Sequence, residues 1–466
     1  MPEMDIAQGN TAFRWPDAPS EDKYSVCVHC GFCLEVCPTY QELGNENESP
    51  RGRVYLIKAA AEGRLPLDES VINPVFNCLD CRACETACPS GVQVGSLIEE
   101  ARGQAFHAAP ATGMTGALQN VFLREIFPHP SRLRTVAKLT RFYQKSGIRT
   151  VLKKSGALRI LPKHLQEMEA ILPDVRAKSA LESLPNTVPS MGPVTRGKTA
   201  MFTGCVMDVL FSDINRATVR VMARNGFDVV TPKQQICCGA LQIHAGDRDQ
   251  ARKMARQNID TFLATSADAI VVNSAGCGAA MKEYADLFHD DAQYLPKARQ
   301  FASKVRDISE WLVEVGYDAP RGRVEKTITY HDACHLRHAQ QVQFQPRELL
   351  RSIPGLKMVD MPDSDRCCGS AGIYNLTHPD MANQLLERKM ADIPDGIDAV
   401  VTGNPGCMMQ IMVGMNRMAH GSGGVGSGGQ GDATLRQTGA RNDARNRVLH
   451  TVELLDLAYQ KEANRS

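Results

Sequence analysis

The chain has 466 residues, 43% of them hydrophobic, which suggests about three domains with real cores. Its formal net charge of +1 argues against nucleic-acid binding as its main business. No stretch approaches the roughly 18 apolar residues of a spanning helix, and the polar, acidic start MPEMDIAQGN is unlike a secretory signal. The expectation is a cytoplasmic protein whose 16 cysteines are reduced and serve metal or redox chemistry. Disulfides are the weaker reading.

The first element is the run Cys27-x2-Cys30-x2-Cys33-x3-Cys37-Pro38, which recurs as Cys78-x2-Cys81-x2-Cys84-x3-Cys88-Pro89. This is the spacing of a bacterial-type [4Fe–4S] loop, whose first three thiolates grip one cube while the fourth ligates the other. The crossing predicts that Cys27, Cys30, Cys33 and Cys88 hold one cluster, and Cys78, Cys81, Cys84 and Cys37 the second. Two residues between ligands let a tight loop present its sulfurs on one concave side. Backbone N–H groups turned the same way offset part of the cost of burying an anionic cube. The proline after each fourth cysteine turns the chain away. Structural zinc takes four ligands per ion, usually as two separated pairs, and fits such compact runs poorly. A zinc-organised scaffold remains the competing reading. Residues 1–108 are assigned to this double-cluster domain.

Residues 109–197 read as a connector. From Arg124 to Lys163 it holds eleven Lys or Arg and a single acid, Glu125. Leu133, Val136, Leu139 and Phe142 recur at helical intervals, so part of it is a basic amphipathic helix. Such a face suits anionic lipid or an acidic partner. The alternative is a solvated connector whose apolar side packs on its own domains.

The remaining eight cysteines form a longer tandem repeat. The first copy, within residues 198–322, has Cys205, Cys237-Cys238-Gly239 and Cys277; the second, within 323–466, has Cys334, Cys367-Cys368-Gly369 and Cys407. Gaps of 32 and 39 positions in the first answer 33 and 39 in the second. GKTAMFTGC likewise answers EKTITYHDAC, and DAIVVNSAGC answers DAVVTGNPGC. Short β-branched runs (Ala269 to Val272, Ala399 to Val401) alternate with helix-like segments such as ARKMARQNIDTFLA and MANQLLERKM. The alternation predicts parallel sheets with right-handed crossovers. Cysteines just after strands would gather at the carboxyl edge, where open α/β folds place their sites. Eight distant residues could thus form two four-thiol groups with a redox or cluster role; adjacent cysteines packing as small hydrophobes is the alternative. His331, His335 and His338 surround Cys334 and are expected to orient that edge rather than bind metal.

Residues 421–431, GSGGVGSGGQG, contain a formal G-x-G-x-x-G match that follows no strand and opens no helix, so they read as a flexible linker. A last amphipathic helix near Val448 to Tyr459 is expected to pack on the second repeat. No flavin or nicotinamide fingerprint, P-loop or nucleophile elbow is present.

CVHCGFCLEVCPTYQELGNENESPRGRVYLIK, followed by CLDCRACETACPSGV, resembles the iron–sulfur subunit family of bacterial glycolate oxidase (glycolate dehydrogenase). CCGSAGIYNLTHPD and NPGC resemble the same family. The double-cluster motif is shared with the anaerobic glycerol-3-phosphate dehydrogenase small subunit, lactate-utilisation proteins and heterodisulfide reductase subunits. The resemblance implies a helical two-cluster ferredoxin domain followed by two α/β cysteine-rich domains. It implies two [4Fe–4S] clusters and an FAD-containing partner subunit that oxidises glycolate to glyoxylate. Electrons would pass through this chain toward a membrane acceptor, such as quinone, at the cytoplasmic face of the inner membrane. The absence of a flavin motif agrees, because oxidising a 2-hydroxy acid needs a redox cofactor such as a flavin, which would then lie in a partner. In the heterodisulfide reductase branch each repeat ends in C-x2-C and supplies a non-cubane cluster. Here those places read Ser274-Ala-Gly-Cys277 and Asn404-Pro-Gly-Cys407, one thiol short in each. The runner-up readings are a related lactate or glycerol-3-phosphate dehydrogenase subunit, or a reductase whose Cys-Cys-Gly repeats are catalytic.

Overall fold

In this computed structural model, residues 11–109, 113, 116, 120–420 and 447–464 are described; the glycine-rich stretch 421–431 lies outside them. Ser49 starts the first long helix, α1 (Pro50–Ala61): its hydroxyl accepts from Gly52 N, and Pro50 supplies a helix-ready φ at the first position. Helix α2 (Glu69–Asn77) opens on Asp68, whose carboxylate accepts from Ser70 N. Helix α3 (Val94–Ala108) completes the N-terminal part. Their apolar faces meet in a core of Val54, Ile57, Val71, Val75, Leu97 and Ile98, with Cys27, Cys33, Cys78 and Cys88 packed at its edge. Fully burying each such aliphatic contributes about 1.5–3 kcal/mol. The cysteine loops are therefore fastened to the stiffest part of this domain.

The connector holds α4 (Pro130–Lys145), α5 (Ile148–Ser155) and α6 (Lys163–Ile171). Leu133 and Ala137 of α4 pack against Val175 and Val209. Val136, Leu139 and Phe142, on the other side of the same helix, are exposed. The connector ends in a strand, β1 (Thr187–Val188), which pairs antiparallel with β3 (Phe227–Val230) of the first repeat.

Each repeat is a parallel sheet. The first has β2 (Gly197–Phe202), α7 (Ser212–Arg224), β3, α8 (Arg248–Leu263), β4 (Ala269–Val272), α9 (Ala275–Lys282), β5 (Val305–Asp307) and α10 (Ile308–Val315). The second has β6 (Lys326–Tyr330), α11 (Gln345–Arg351), β7 (Leu356–Met358), α12 (Pro379–Ala391), β8 (Ala399–Val401), α13 (Pro405–His420), β9 (Val448–Leu449) and α14 (Thr451–Ala463). The orders β1-β3-β2-β4-β5 and β7-β6-β8-β9 match strand for strand once the antiparallel edge β1 is set aside. Strands β4 and β8 are nearly or wholly buried, as expected where helices cover both faces of a parallel sheet.

The repeats are not independent beads. One hydrophobic core runs through both, joining Ile214, Phe227 and Val271 to Ile328, Val400 and Met412. Helix α14 fills the seam: Asp456 pairs with Arg220 of α7 at 2.6 Å, and the Tyr459 hydroxyl donates to Asp318 O. The last helix thus rests on both repeats, not on the second alone, because its buried face (Val452, Leu455, Ala458) has apolar partners in each. The two Gly-Cys turns also meet directly. Ala275 N donates to Gly403 O at 3.1 Å, and Gly276 N to the Asn404 side chain at 3.2 Å.

Candidate metal centres

The two ferredoxin-type loops share one backbone conformation. His29 and Gly31 flank Cys30 with φ of 56° and 91°; Asp80 and Arg82 flank Cys81 with φ of 51° and 60°. Left-handed residues on both sides of the middle cysteine curl the chain so that its N–H groups face inward. One such donor is visible in the second loop, Asp80 N to Cys78 Sγ at 3.3 Å; beyond the loop's fourth cysteine, Val92 N lies 3.5 Å from Cys88 Sγ. A non-glycine residue at positive φ is strained. Three of these four positions, His29, Asp80 and Arg82, carry that strain.

Cys27, Cys30, Cys33 and Cys88 line one cavity, and Cys37, Cys78, Cys81 and Cys84 line another, with Cys84 also bordering the first. Each space is thus walled by three thiols of one loop and the fourth of the other. Cys30 is exposed, whereas Cys37 and Cys84 are buried. Burial pushes the Cys78, Cys81 and Cys84 thiols up. A ligating metal takes the place of those protons. Arg53, 1% exposed, sits against this second group: its guanidinium lies 3.9 Å from Cys37 Sγ and donates to Thr39, Glu48 and Pro74 O. A buried cation beside four sulfurs compensates the negative charge that a thiolate-bound cluster brings. The donor chemistry and the enclosed spaces both fit [4Fe–4S] clusters.

All eight repeat cysteines follow the carboxyl ends of strands. The thiols of Cys205, Cys237, Cys238 and Cys277 stand close enough to shift one another's protonation, as do those of Cys334, Cys367, Cys368 and Cys407. Donation from Cys205 and Cys238 holds the Cys237 thiol well below its ordinary range and pushes Cys205 up. The glycine after each Cys-Cys pair has φ +84° in both copies. At Gly369 an added Cβ would stand 2.6 Å from Ala382 O, so the turn that aims both thiols inward tolerates no side chain.

The second tetrad gains a nitrogen. Ligand atoms of His331, Cys368 and Cys407 lie within 4.8 Å of one another. His331 is fully buried, neither ring nitrogen has a hydrogen-bond partner among the described residues, and burial lowers its pKa to about 3. A neutral imidazole offers one free ring-nitrogen lone pair and is a competent ligand. His335 Nδ1 lies 3.4 Å from Cys334 Sγ, and His338 Nδ1 lies 2.9 Å from the Thr86 hydroxyl of the second ferredoxin-type loop. His335 and His338 thus contact this edge, while a ring nitrogen of His331 lies among the thiols. Asn404, which stands where a related branch has a cysteine, places its amide 3.5 Å from Cys407 Sγ as a donor.

The domains meet over a buried charged group that composition and spacing do not announce. Asp80, held far below the usual carboxylate range despite its burial, lies 3.1 Å from His244. Arg82 pairs with Glu99 at 3.1 Å and with Glu283 of the first repeat. Gly95 leaves room for that guanidinium: a Cβ there would stand 2.4 Å from Arg82 Nε. Cys81 packs against a buried group that contains Cys334 and Cys367. The second cluster loop and the second thiol tetrad are therefore adjacent.

Fold and site together define an iron–sulfur protein: a [4Fe–4S] dicluster domain followed by two cysteine-rich domains. Family models agree along the chain. A 4Fe-4S dicluster domain matches residues 23–92, the cysteine-rich domain matches 199–282 and 328–412, and the glycolate oxidase iron-sulfur subunit linker region matches 115–172. The chain is 42% identical to the probable glycolate oxidase iron-sulfur subunit of Bacillus subtilis, over 89% of this chain and 94% of that one. It is 35% identical to the glycolate oxidase iron-sulfur subunit of Escherichia coli, over 83% and 89%. A subunit of the CoM/CoB fumarate reductase of Methanothermobacter marburgensis is 27% identical, over 98% of this chain and 76% of that one. The chain belongs to the glycolate oxidase iron–sulfur subunit family. No helix among the described residues is long and apolar enough to cross a membrane.

Proposed function

We propose that this chain is the electron-transfer subunit of a multi-subunit, flavin-dependent glycolate oxidase, taking electrons from an FAD-containing partner toward a membrane acceptor such as quinone. Cys27, Cys30, Cys33 and Cys88 hold the first [4Fe–4S] cluster, and Cys78, Cys81, Cys84 and Cys37 the second. When bound, the clusters supply reversible one-electron steps. The chain's own residues do the rest. Loop N–H groups and Arg53 stabilise the sulfurs, buried aliphatics exclude water, and exposed Cys30 gives a partner access to the first cluster.

The observation that carries this reading is the contiguity of Cys81 with Cys334 and Cys367. It links the ferredoxin-type domain to the second Cys-Cys-Gly tetrad without a gap. A second reading, in which the tetrads bind a further cluster and touch substrate as in a reductase, is favoured by unpartnered His331 beside Cys368 and Cys407.

Anaerobic co-purification with the flavoprotein partner, followed by assays with glycolate, D-lactate and glycerol 3-phosphate, tests the reading. Glycolate should be the preferred donor, with about eight iron atoms per chain, two cubes' worth. Preference for lactate or glycerol 3-phosphate would move the chain to a related dehydrogenase. Clearly more iron would favour the reductase.

A further inference from the structure

Helix α4 has two apolar faces, and only one is used. Leu133 and Ala137 face Val175 and Val209, while Leu139 and Phe142 on the opposite face are 64% and 63% exposed. The pattern continues down the chain: α5 has no buried residue, Val151 on it is 65% exposed, and Ile160 beyond it is 88% exposed. Large aliphatics this exposed on successive short elements are not the ordinary scatter of surface residues.

Charge specifies what covers them. Lys145, Lys154, Arg159 and Lys163 are exposed and make no ion pair among the described residues. Of the acids nearby, Glu125 pairs with Arg132, Glu167 with Arg417 and Glu169 with Arg149. A protein interface buries its apolar centre among few lysines. Lysines and arginines interleaved with exposed Leu, Ile, Val and Phe suit the boundary between headgroups and acyl chains, where stems lie in the apolar layer and cations meet phosphate.

We infer that the outward face of α4, α5 and the turn through Ile160 docks this protein on an anionic lipid bilayer. This deepens the proposed function and rests on its membrane acceptor, since it places the cluster-bearing chain against the surface where that acceptor resides.

Flotation of the cluster-loaded, full-length protein with phosphatidylcholine vesicles, with and without phosphatidylglycerol, tests the inference. The protein should float with the anionic vesicles, poorly with the neutral ones, and less as salt rises. Lys154→Glu/Arg159→Glu should weaken partition about tenfold or more, since each basic residue near such a surface is worth roughly fivefold. Leu139→Ser/Phe142→Ser should weaken it about tenfold or more through lost apolar burial. Unchanged iron content and visible absorbance show that the variants are folded. No flotation of the parent protein, or unchanged flotation of both variants, overturns the inference. So does retained flotation with lost binding of the flavoprotein, which would make this a protein-docking face. Glycolate-driven reduction of a soluble dye by the assembled complex reads the electron-transfer role separately, so either idea can fail without the other.

Discussion

Cys81 and Cys367 line one cavity, although they lie in different domains and more than half the chain apart in sequence. The residue proposed as a ligand of the second cluster thus stands beside the Cys-Cys-Gly pair of the second repeat. If that contact carries electrons, Cys367→Ser should lower glycolate oxidation by the assembled complex about tenfold or more, as loss of groups around a metal commonly does. The absorbance of the ferredoxin-type clusters should stay, because Cys367 belongs to neither of their donor sets. Full activity in the Cys367→Ser complex would remove the tetrad from the electron path.

The crossed cavities make a sharper claim about individual ligands. Cys88 walls the cavity of the first loop, and Cys37 that of the second. Cys88→Ala should therefore abolish the paramagnetic signal of the cluster held mainly by Cys27, Cys30 and Cys33, and Cys37→Ala that of its neighbour. The reverse pairing of lost signals would refute the crossed assignment.

Arg53 tests whether the buried cation tunes the site. It bonds Glu48 at 2.7 Å with both side chains nearly inaccessible. Arg53→Met leaves Glu48 uncompensated, a change that costs about 3–5 kcal/mol when one partner of a buried pair is lost. The same substitution removes positive charge beside Cys37, so the second cluster should become harder to reduce. A redox titration followed by electron paramagnetic resonance should show its midpoint move to lower potential, with the first cluster moving less. Equal shifts of both would mean a global structural effect.

What was legible in the sequence was what repeats at fixed spacing. The cysteine runs, the 129- to 130-residue offset and the β-branched strands all leave periodic marks, and the parallel sheets follow from them. Arg53, Asp80 and Arg82 leave none: a charge inside a loop or helix looks the same whether it meets water or a buried partner from another domain. His331 was visible beside Cys334, but its pointing toward Cys368 and Cys407 depends on how β6, β8 and the Cys-Cys-Gly turn converge. The two faces of α4 were merged for a related reason. Its apolar residues recur every third position, which drifts around the helix, so Leu133 turns inward while Leu139 and Phe142 turn out.

The seam between the repeats should carry a pH signature. Helix α14 begins with a capping box in which Glu453 accepts from His450 N at 2.7 Å, and His450 Nδ1 accepts from Val452 N at 3.1 Å. Burial raises the Glu453 pKa from 4.5 to about 7 and lowers that of His450 from 6.5 to about 4. The folded protein thus favours the uncharged form of both. For Glu453 the folded state binds the extra proton, so its contribution is full below 4.5 and is lost as pH rises through about 7. For His450 the unfolded state binds more protons, so its contribution is full above 6.5 and is lost as pH falls through about 4. Glu453→Gln keeps an acceptor for His450 N but cannot ionise. The melting temperature of this variant, minus that of the parent, should increase between pH 4.5 and about 7 and level off above. A difference that stays flat across that window would mean that Glu453 titrates in the fold as it does in the unfolded chain.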